Sequence, residues 1–418
     1  MQRAAPSAED YRLYGAMTIT CSDCGSTQII PTLPPRATAR CRRCDRVLSR
    51  HGAGHGNELA LVCCAAMLVL LPPAAFLPLM HSTIMNLVFD QSRLVSSVAA
   101  IYREVWFPFA FGFLFFAFVF PALRAFLLVL VLGAIRFRLR LPEHGRLFRW
   151  SEELRIWSMT DVVVISGVVA YFRAGIPADV EIMIGAWIYL AVAALALVAE
   201  RMLDRREVWN AILPDLATPA GTPAVSCGSC QLVVAHGESG TACPRCGSTL
   251  DPSVARRFAP VLAAVAAALP LSLPAYSFAV MVNDQLTAVL EHTIVGTVQL
   301  LADRGYWQYG VVVLICGVVI PIVELAGLVW LLARVRFPNR RGLVLRTQVY
   351  RILHRLVRWP MIIPFIAAIA APIVDFPGID DIIAGPGATP LFMLITLLML
   401  AMRLFEPKLM WKTAGEAR

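Results

Sequence analysis

Eight of the 11 cysteines stand in four Cys-x-x-Cys pairs: Cys21 with Cys24, Cys41 with Cys44, Cys227 with Cys230 and Cys243 with Cys246. Sixteen residues lie between the first two pairs and 12 between the second two, so each set supplies two knuckles that can close on one ion. Four thiolates around one ion give the tetrahedral coordination of a zinc ribbon, with iron as the rival metal. Disulfides are disfavoured if these segments face the reducing cytoplasm, and a thioredoxin-like redox motif carries a single pair in a βαβ unit. A four-thiolate zinc centre has a formal charge of minus two, which Arg40, Arg42, Arg43 and Arg46 offset at the first site and Arg245 at the second. With four protein ligands each site is closed, so the metal is structural rather than catalytic. The remaining Cys63, Cys64 and Cys316 lie in apolar runs and read as packing residues.

Three charges fall inside or at the start of apolar runs: Arg124 in Pro121-Ala-Leu-Arg124, Asp161 in Trp157-Ser-Met-Thr-Asp161, and Glu324 in Pro321-Ile-Val-Glu324. Ionisable groups at membrane depth cost several kcal/mol and mark functional sites by default. With Ser158 and Thr160, these three form a candidate transport pathway. Arg124 and Asp161 carry opposite charges, so they either neutralise each other in the bundle or line a water-filled cavity, which the nearby proline favours by freeing a backbone carbonyl. The plainer reading is a structural pairing of Arg124, with Asp161 hydrated at the interface.

The elements that must position these residues follow from composition. The chain of 418 residues is 58% hydrophobic and only 16% charged, with a mean hydropathy of +0.68, which excludes an ordinary soluble enzyme or a disordered regulator. It reads as an all-α polytopic membrane protein. A crossing helix needs roughly 17–25 apolar residues. The sequence offers eight such runs: Leu59 to Met80, Phe107 to Ile135, Ile156 to Phe172, Ile182 to Ala199, Phe258 to Val282, Tyr309 to Ala333, Trp359 to Val374 and Ile382 to Met402. Residues 1–58 are polar and bear two cysteine pairs, so no cleavable signal peptide is expected there. Counted between the runs, alternate segments hold 32 of the 37 Lys and Arg residues and the others hold 4, with Arg124 inside a run. By the positive-inside rule both termini, both cysteine modules and the loops 136–155 and 334–358 face the cytoplasm. The net charge of +9 therefore reports topology and anionic-lipid contact, not nucleic-acid binding.

Self-comparison shows a duplication. Cys41 and Cys44 recur as Cys243 and Cys246, Trp157 and Met159 as Trp359 and Met361, and Trp209 as Trp411, all offset by 202 residues. The expected fold is a tandem repeat of four transmembrane helices, each preceded by a small cytoplasmic zinc-ribbon module. Its units are residues 1–58 and 211–257 for the ribbons, and 59–210 and 258–418 for the membrane units. An even number of spans per unit makes the repeats parallel. No Walker motif, serine nucleophile elbow or His-Glu-x-x-His is present, so nothing supports an ATPase or a hydrolase, and the protein reads as a non-enzyme.

From about Cys21 to Trp411 the combination resembles the paraquat-inducible protein A family, whose relatives include lipophilic envelope-spanning tunnel proteins. The resemblance is carried by two four-cysteine modules each leading into four spans, Trp157-Ser-Met-x-Asp161 opening the third, and Arg201-x-x-Asp204 with Trp209 closing the fourth. It implies a bacterial inner-membrane protein that works with a mammalian-cell-entry (MCE) domain periplasmic tunnel protein, loading or extracting phospholipids and supporting the outer membrane. The family commonly repeats Trp-Ser-Met-x-Asp in the second unit and has a Lys after Pro-x-x there. Here Trp359-Pro-Met-Ile-Ile363 and Glu324 stand instead, which points the polar role to the first unit. Two other classes fit the same residues: a proton-coupled small-molecule transporter or channel, and a zinc or redox sensor of membrane stress.

Overall fold

The computed structural model describes residues 17–30, 37–50, 55–84, 87–103, 107–139, 143–174, 179–214, 224–235, 240–250, 258–285, 288–303, 305–337, 339–374 and 380–416. The chain is mostly helical, and its element order repeats. In the first half a helix Gly56–Phe76 leads to a hairpin, Met80–Ile84 with Leu87–Ser92, and then to a helix Leu94–Arg103. A long broken helix, Phe107–Leu114 with Phe120–Arg136, returns to His144–Leu154. A short helix Thr160–Ala174, a strand Asp179–Ile182, a helix Ile184–Met202 and a final turn of helix Arg205–Ile212 complete it. The second half runs through the same series from Phe258–Ser277 to Lys408–Glu416.

Among the described residues, five helices are long and apolar enough to cross a membrane: Gly56–Phe76, Phe109–Arg136, Ile184–Met202, Phe258–Ser277 and Trp307–Arg336. A sixth, Ala388–Leu404, qualifies only together with Lys408–Gly415, from which it is bent by 53°. The third helix of each half, Thr160–Ala174 with 15 residues and Ile362–Val374 with 13, falls short of the expected run. Several of the expected ends also differ, because the chain there is strand. Leu77 turns extended ahead of Pro78, a residue that disfavours helix in its predecessor, so the first helix stops before Met80.

These strands build two antiparallel sheets of three strands that the sequence reading did not foresee. Met80–Ile84 is central between Leu87–Ser92 and Asp179–Ile182, with Met80 opposite Ser92 and Ile182. Met281–Gln285 is central between Ala288–His292 and Asp380–Ala384, with Met281 opposite His292 and Ala384. The chain order sets both sheets at the opposite end of the helices from the cysteine modules.

The second helix of each half contains one wide turn, Phe115–Val119 and Ile315–Val319, followed at once by Pro121 or Pro321. A π-turn and a proline each free a carbonyl that a neighbour must satisfy. The Ala117 carbonyl, four residues before Pro121, accepts from the Tyr189 hydroxyl at 2.9 Å. The Phe116 carbonyl accepts from the Met159 amide at 3.2 Å, and the Trp157 ring stacks on Phe116 with centroids 5.6 Å apart. In the second half the Gly317 carbonyl, four before Pro321, accepts from Tyr276 at 3.1 Å. Tyr189 and Tyr276 lie on helices that do not correspond in the repeat, so the same backbone need is met by unrelated residues. Tyr189→Phe should destabilise the chain by about 1–3 kcal/mol, the penalty for leaving a buried acceptor unpaired, and thermal unfolding in detergent will read it.

The halves share one core. Thr160–Ala174 packs along Ile362–Val374, with the Ser166 hydroxyl donating to the Ile362 carbonyl at 3.3 Å and Phe113 set edge-on to Phe365 at 5.4 Å.

Candidate metal centres and buried charges

Each cysteine knuckle is a tight turn. In the first ribbon the Cys21 carbonyl accepts from the Gly25 amide at 2.9 Å and the Cys41 carbonyl from Asp45 at 2.9 Å. In the second, Cys227 accepts from Gln231 at 3.1 Å and Cys243 from Gly247 at 2.9 Å. The donors Gly25, Asp45, Gln231 and Gly247 all have left-handed φ, between 57° and 70°, which turns the chain back after the second thiol of each knuckle.

All eight thiols are free and buried. The four sulfurs of each set lie within 4.8 Å of one another. Cys21 and Cys44 Sγ are 3.5 Å apart, as are Cys24 and Cys41, and Cys227 and Cys246; Cys230 and Cys243 are 3.6 Å apart. A tetrahedron with metal–sulfur bonds of about 2.3 Å has edges of about 3.8 Å, so both clusters fit one four-coordinate ion each. The hydrogen bond with Cys21, opposed by burial and aided by Ser26, holds the Cys24 thiol down at about 4. That direction favours the thiolate at this corner, the form that ligates metal.

Each ribbon rests on helices of a membrane unit. The Arg149 guanidinium donates to the Cys246 carbonyl at 3.1 Å, Arg245 donates to the Leu213 carbonyl, and the Phe148 and Trp209 rings meet edge-on at 4.7 Å beneath the second ribbon. The motif residue Asp204 caps the helix Arg205–Ile212, accepting from the Arg206 and Glu207 amides at 3.0 and 3.1 Å, and so presents Trp209. The first ribbon makes the corresponding contacts with the second half. Arg351 donates to the Asp23 carboxylate at 2.8 Å and the Cys44 carbonyl at 2.9 Å, and Arg43 lies 4.4 Å over the Trp411 ring.

Of the arrangements the sequence allows for Arg124 and Asp161, direct mutual neutralisation is not what the structure holds. Arg124 donates to Glu200 at 2.5 Å, and Glu200 also binds Arg155 at 3.4 Å and Arg205, which reaches Glu152 at 2.7 Å. Asp161 sits in the first turn of Thr160–Ala174 and pairs at 3.0 Å with Arg358 of the other half. Arg124, in the middle of its long helix, faces Glu200 in the last turn of Ile184–Met202, while Asp161 faces the other half. Glu200 follows the last apolar residue of its run directly, and that adjacency was its only signal in the sequence. Ser158 and Thr160 are buried beside Asp161. Glu324 is 1% exposed, and among the described residues neither of its carboxylate oxygens has a hydrogen-bond partner. The positions that match Glu200 and Glu152 in the repeat are Met402 and His354, so the second half lacks this ion network.

His354, on the helix Leu343–Leu356, is stacked on Tyr350 at 5.6 Å. Burial, then the charges of Arg155, Arg403 and Arg46, push its imidazole down from 6.5 to about 4. The folded state therefore holds fewer protons on this group than the unfolded state between those values. Its contribution to stability is complete above pH 6.5 and is lost as the pH falls toward 4. His354→Gln should flatten that part of the stability–pH curve relative to wild type, as followed by denaturant unfolding.

Comparison with known proteins places this architecture. A sequence model described as paraquat-inducible protein A matches residues 58–212 and again 258–415. The intermembrane transport protein PqiA of Escherichia coli (strain K12) is 23% identical over 413 residues, covering 97% of this chain and 98% of that protein. A probable intermembrane transport protein of Haemophilus influenzae is 24% identical over 413 residues, with 94% and 95% covered. The lipophilic envelope-spanning tunnel protein A of Escherichia coli (strain K12) is 23% identical over 408 residues, with 95% and 92% covered. No solved structure matches the chain.

Proposed function

The chain belongs to the paraquat-inducible protein A family, and from that premise we propose that it is a multi-pass inner-membrane component of an envelope lipid transport system. The observation that carries this reading is the near end-to-end match to relatives named for intermembrane transport and for a tunnel across the envelope. In it the two short third helices complete eight passes, and the positive-inside count puts the ribbons and both termini in the cytoplasm. The two three-stranded sheets then face the periplasm and offer themselves to an MCE-domain tunnel protein, with phospholipid as cargo. Each ribbon holds a zinc ion as a structural centre. Residues 1–58 and 211–257 are the ribbon modules, and 59–210 and 258–418 the membrane units.

Purification from native membranes, with mass spectrometry of the co-purifying lipid and protein, tests this reading. Phospholipid together with an MCE-domain protein is expected, and their absence from a stable preparation argues against it. Ser158, Thr160, Asp161, Arg124 and Glu324 form the candidate pathway. Asp161→Asn should lower lipid transfer by roughly tenfold, and Glu324→Gln should be milder, both with protein level and metal content unchanged. If Asp161 and Arg358 are only a structural pair, Asp161→Asn combined with Arg358→Gln will restore transfer, since an unpaired charge costs more than a neutral pair. The unpartnered carboxyl of Glu324 favours proton coupling as a second reading, and a transfer rate that ignores the proton gradient argues against that.

A further inference from the structure

The two ribbons are not packed as the order of the sequence suggests. Arg149 bonds the Cys246 carbonyl and Arg351 the Cys44 carbonyl, and each residue pair is the repeat image of the other at an offset of 202. Their sequence separations are 97 and 307 residues, which together make two repeat lengths. The same contact is thus made forwards from the first membrane unit and backwards from the second. The second ribbon covers the unit that precedes it, built on His144–Leu154 and Arg205–Ile212. The N-terminal ribbon passes over the unit it leads into and covers Leu343, Thr347 and Trp411 of the far one, where Arg351 bonds both Asp23 and Cys44.

The N-terminal ribbon is nonetheless tied to the first unit, because its last strand ends at Arg50 and the first membrane helix begins at Gly56. Asn57 in that helix bonds both the Asp204 amide and the Glu207 carboxylate of the first unit. The ribbon therefore bridges the two halves, held covalently on one side and by Arg351, Arg43 and Trp411 on the other. Asp23, 1% exposed, takes Arg351 on one carboxylate oxygen and Arg46 on the other, so the knuckle that carries Cys21 and Cys24 is also the docking element. Its shape depends on the ion those thiols hold.

Resting on the reading that both clusters bind metal, we propose that the metal of each ribbon controls the packing of the membrane unit on which it docks, so that the N-terminal metal fastens the second unit to the first across the ends of the chain. Hydrogen exchange by mass spectrometry on the purified full chain, with metal content measured on the same samples, tests it. Cys21→Ser with Cys24→Ser should speed exchange by at least about tenfold in residues 343–356 and 408–416 and leave 144–154 and 205–212 near wild type. Cys227→Ser with Cys230→Ser should do the reverse. Arg351→Gln keeps all eight ligands, and it should leave metal content unchanged while amides of 21–46 exchange at least about tenfold faster and those of 227–246 do not. That variant decides the matter where the cysteine changes unfold the whole chain. Absence of metal from the wild-type chain overturns the metal-centre reading and this inference with it. Full metal content, with deprotection falling on the unit next in sequence or unchanged protection in Arg351→Gln, overturns the inference alone.

Discussion

Cys243→Ser is expected to bring the purified chain from two bound metal ions to one and to leave the second ribbon unfolded. The ribbon's own core is small: its strands Ala224–Ser226 and Val233–Ala235 have three residues each, and the four thiols are buried together with Leu232, Val233 and Leu250. In such a module the metal-binding free energy, roughly 10–16 kcal/mol for structural zinc in small peptides, is folding free energy. Removing one thiolate leaves a three-coordinate site and two short hairpins that cannot stand alone. Phe148, fully buried under the ribbon, and Trp209, 8% exposed, lose their cover. Elemental analysis will count the ions, and limited proteolysis will find new cleavage within residues 224–250. Two ions retained, or unchanged protease resistance, counts against the site.

Gly145→Val should detach the same ribbon with its metal still in place. Gly145 opens the helix His144–Leu154, where it is buried against the second knuckle. A Cβ at this position would collide with the Arg245 carbonyl, 2.7 Å from its carbon and 3.1 Å from the Cys246 Cα. Both neighbours are backbone held by a metal-ligating turn, so neither can rotate aside. Overpacking typically costs roughly 1–3 kcal/mol, and here the two surfaces can separate instead of straining. The expected result is two metal ions per chain together with rapid proteolysis of the segment between the first membrane unit and the ribbon. A variant as resistant as wild type would show that the contact is not tight.

Much of this was legible in the sequence, and for identifiable reasons. Cys-x-x-Cys spacing dictates a knuckle whatever surrounds it, so both four-thiol clusters were readable, and the 202-residue offset exposed the duplication. The role of the Trp157-Ser-Met segment was not. It docks on the wide turn at Phe115–Val119, and a π-turn leaves no mark in an apolar run of phenylalanines. The strands Met80–Ile84 and Met281–Gln285 were absorbed into the ends of spans because short apolar stretches do not distinguish strand from helix by periodicity. A pairing of Arg124 with Asp161 stood as one alternative because they were the visible opposite charges of the first unit. Their real partners, Glu200 and Arg358, lie just beyond the apolar runs and were counted with the loops.

The backward contact of the N-terminal ribbon sets a schedule for biosynthesis. When Cys44 is added to the growing chain, Arg351 is still 307 residues from being made. At about 5–20 residues per second that is a delay of roughly 15–60 s. The second ribbon waits for nothing, since Arg149 and Trp209 precede it in the chain and are already made when it emerges. The N-terminal ribbon instead has no complete docking surface until the last helix, with Trp411, is made. A nascent chain that stops short of that helix carries a ribbon with no seat.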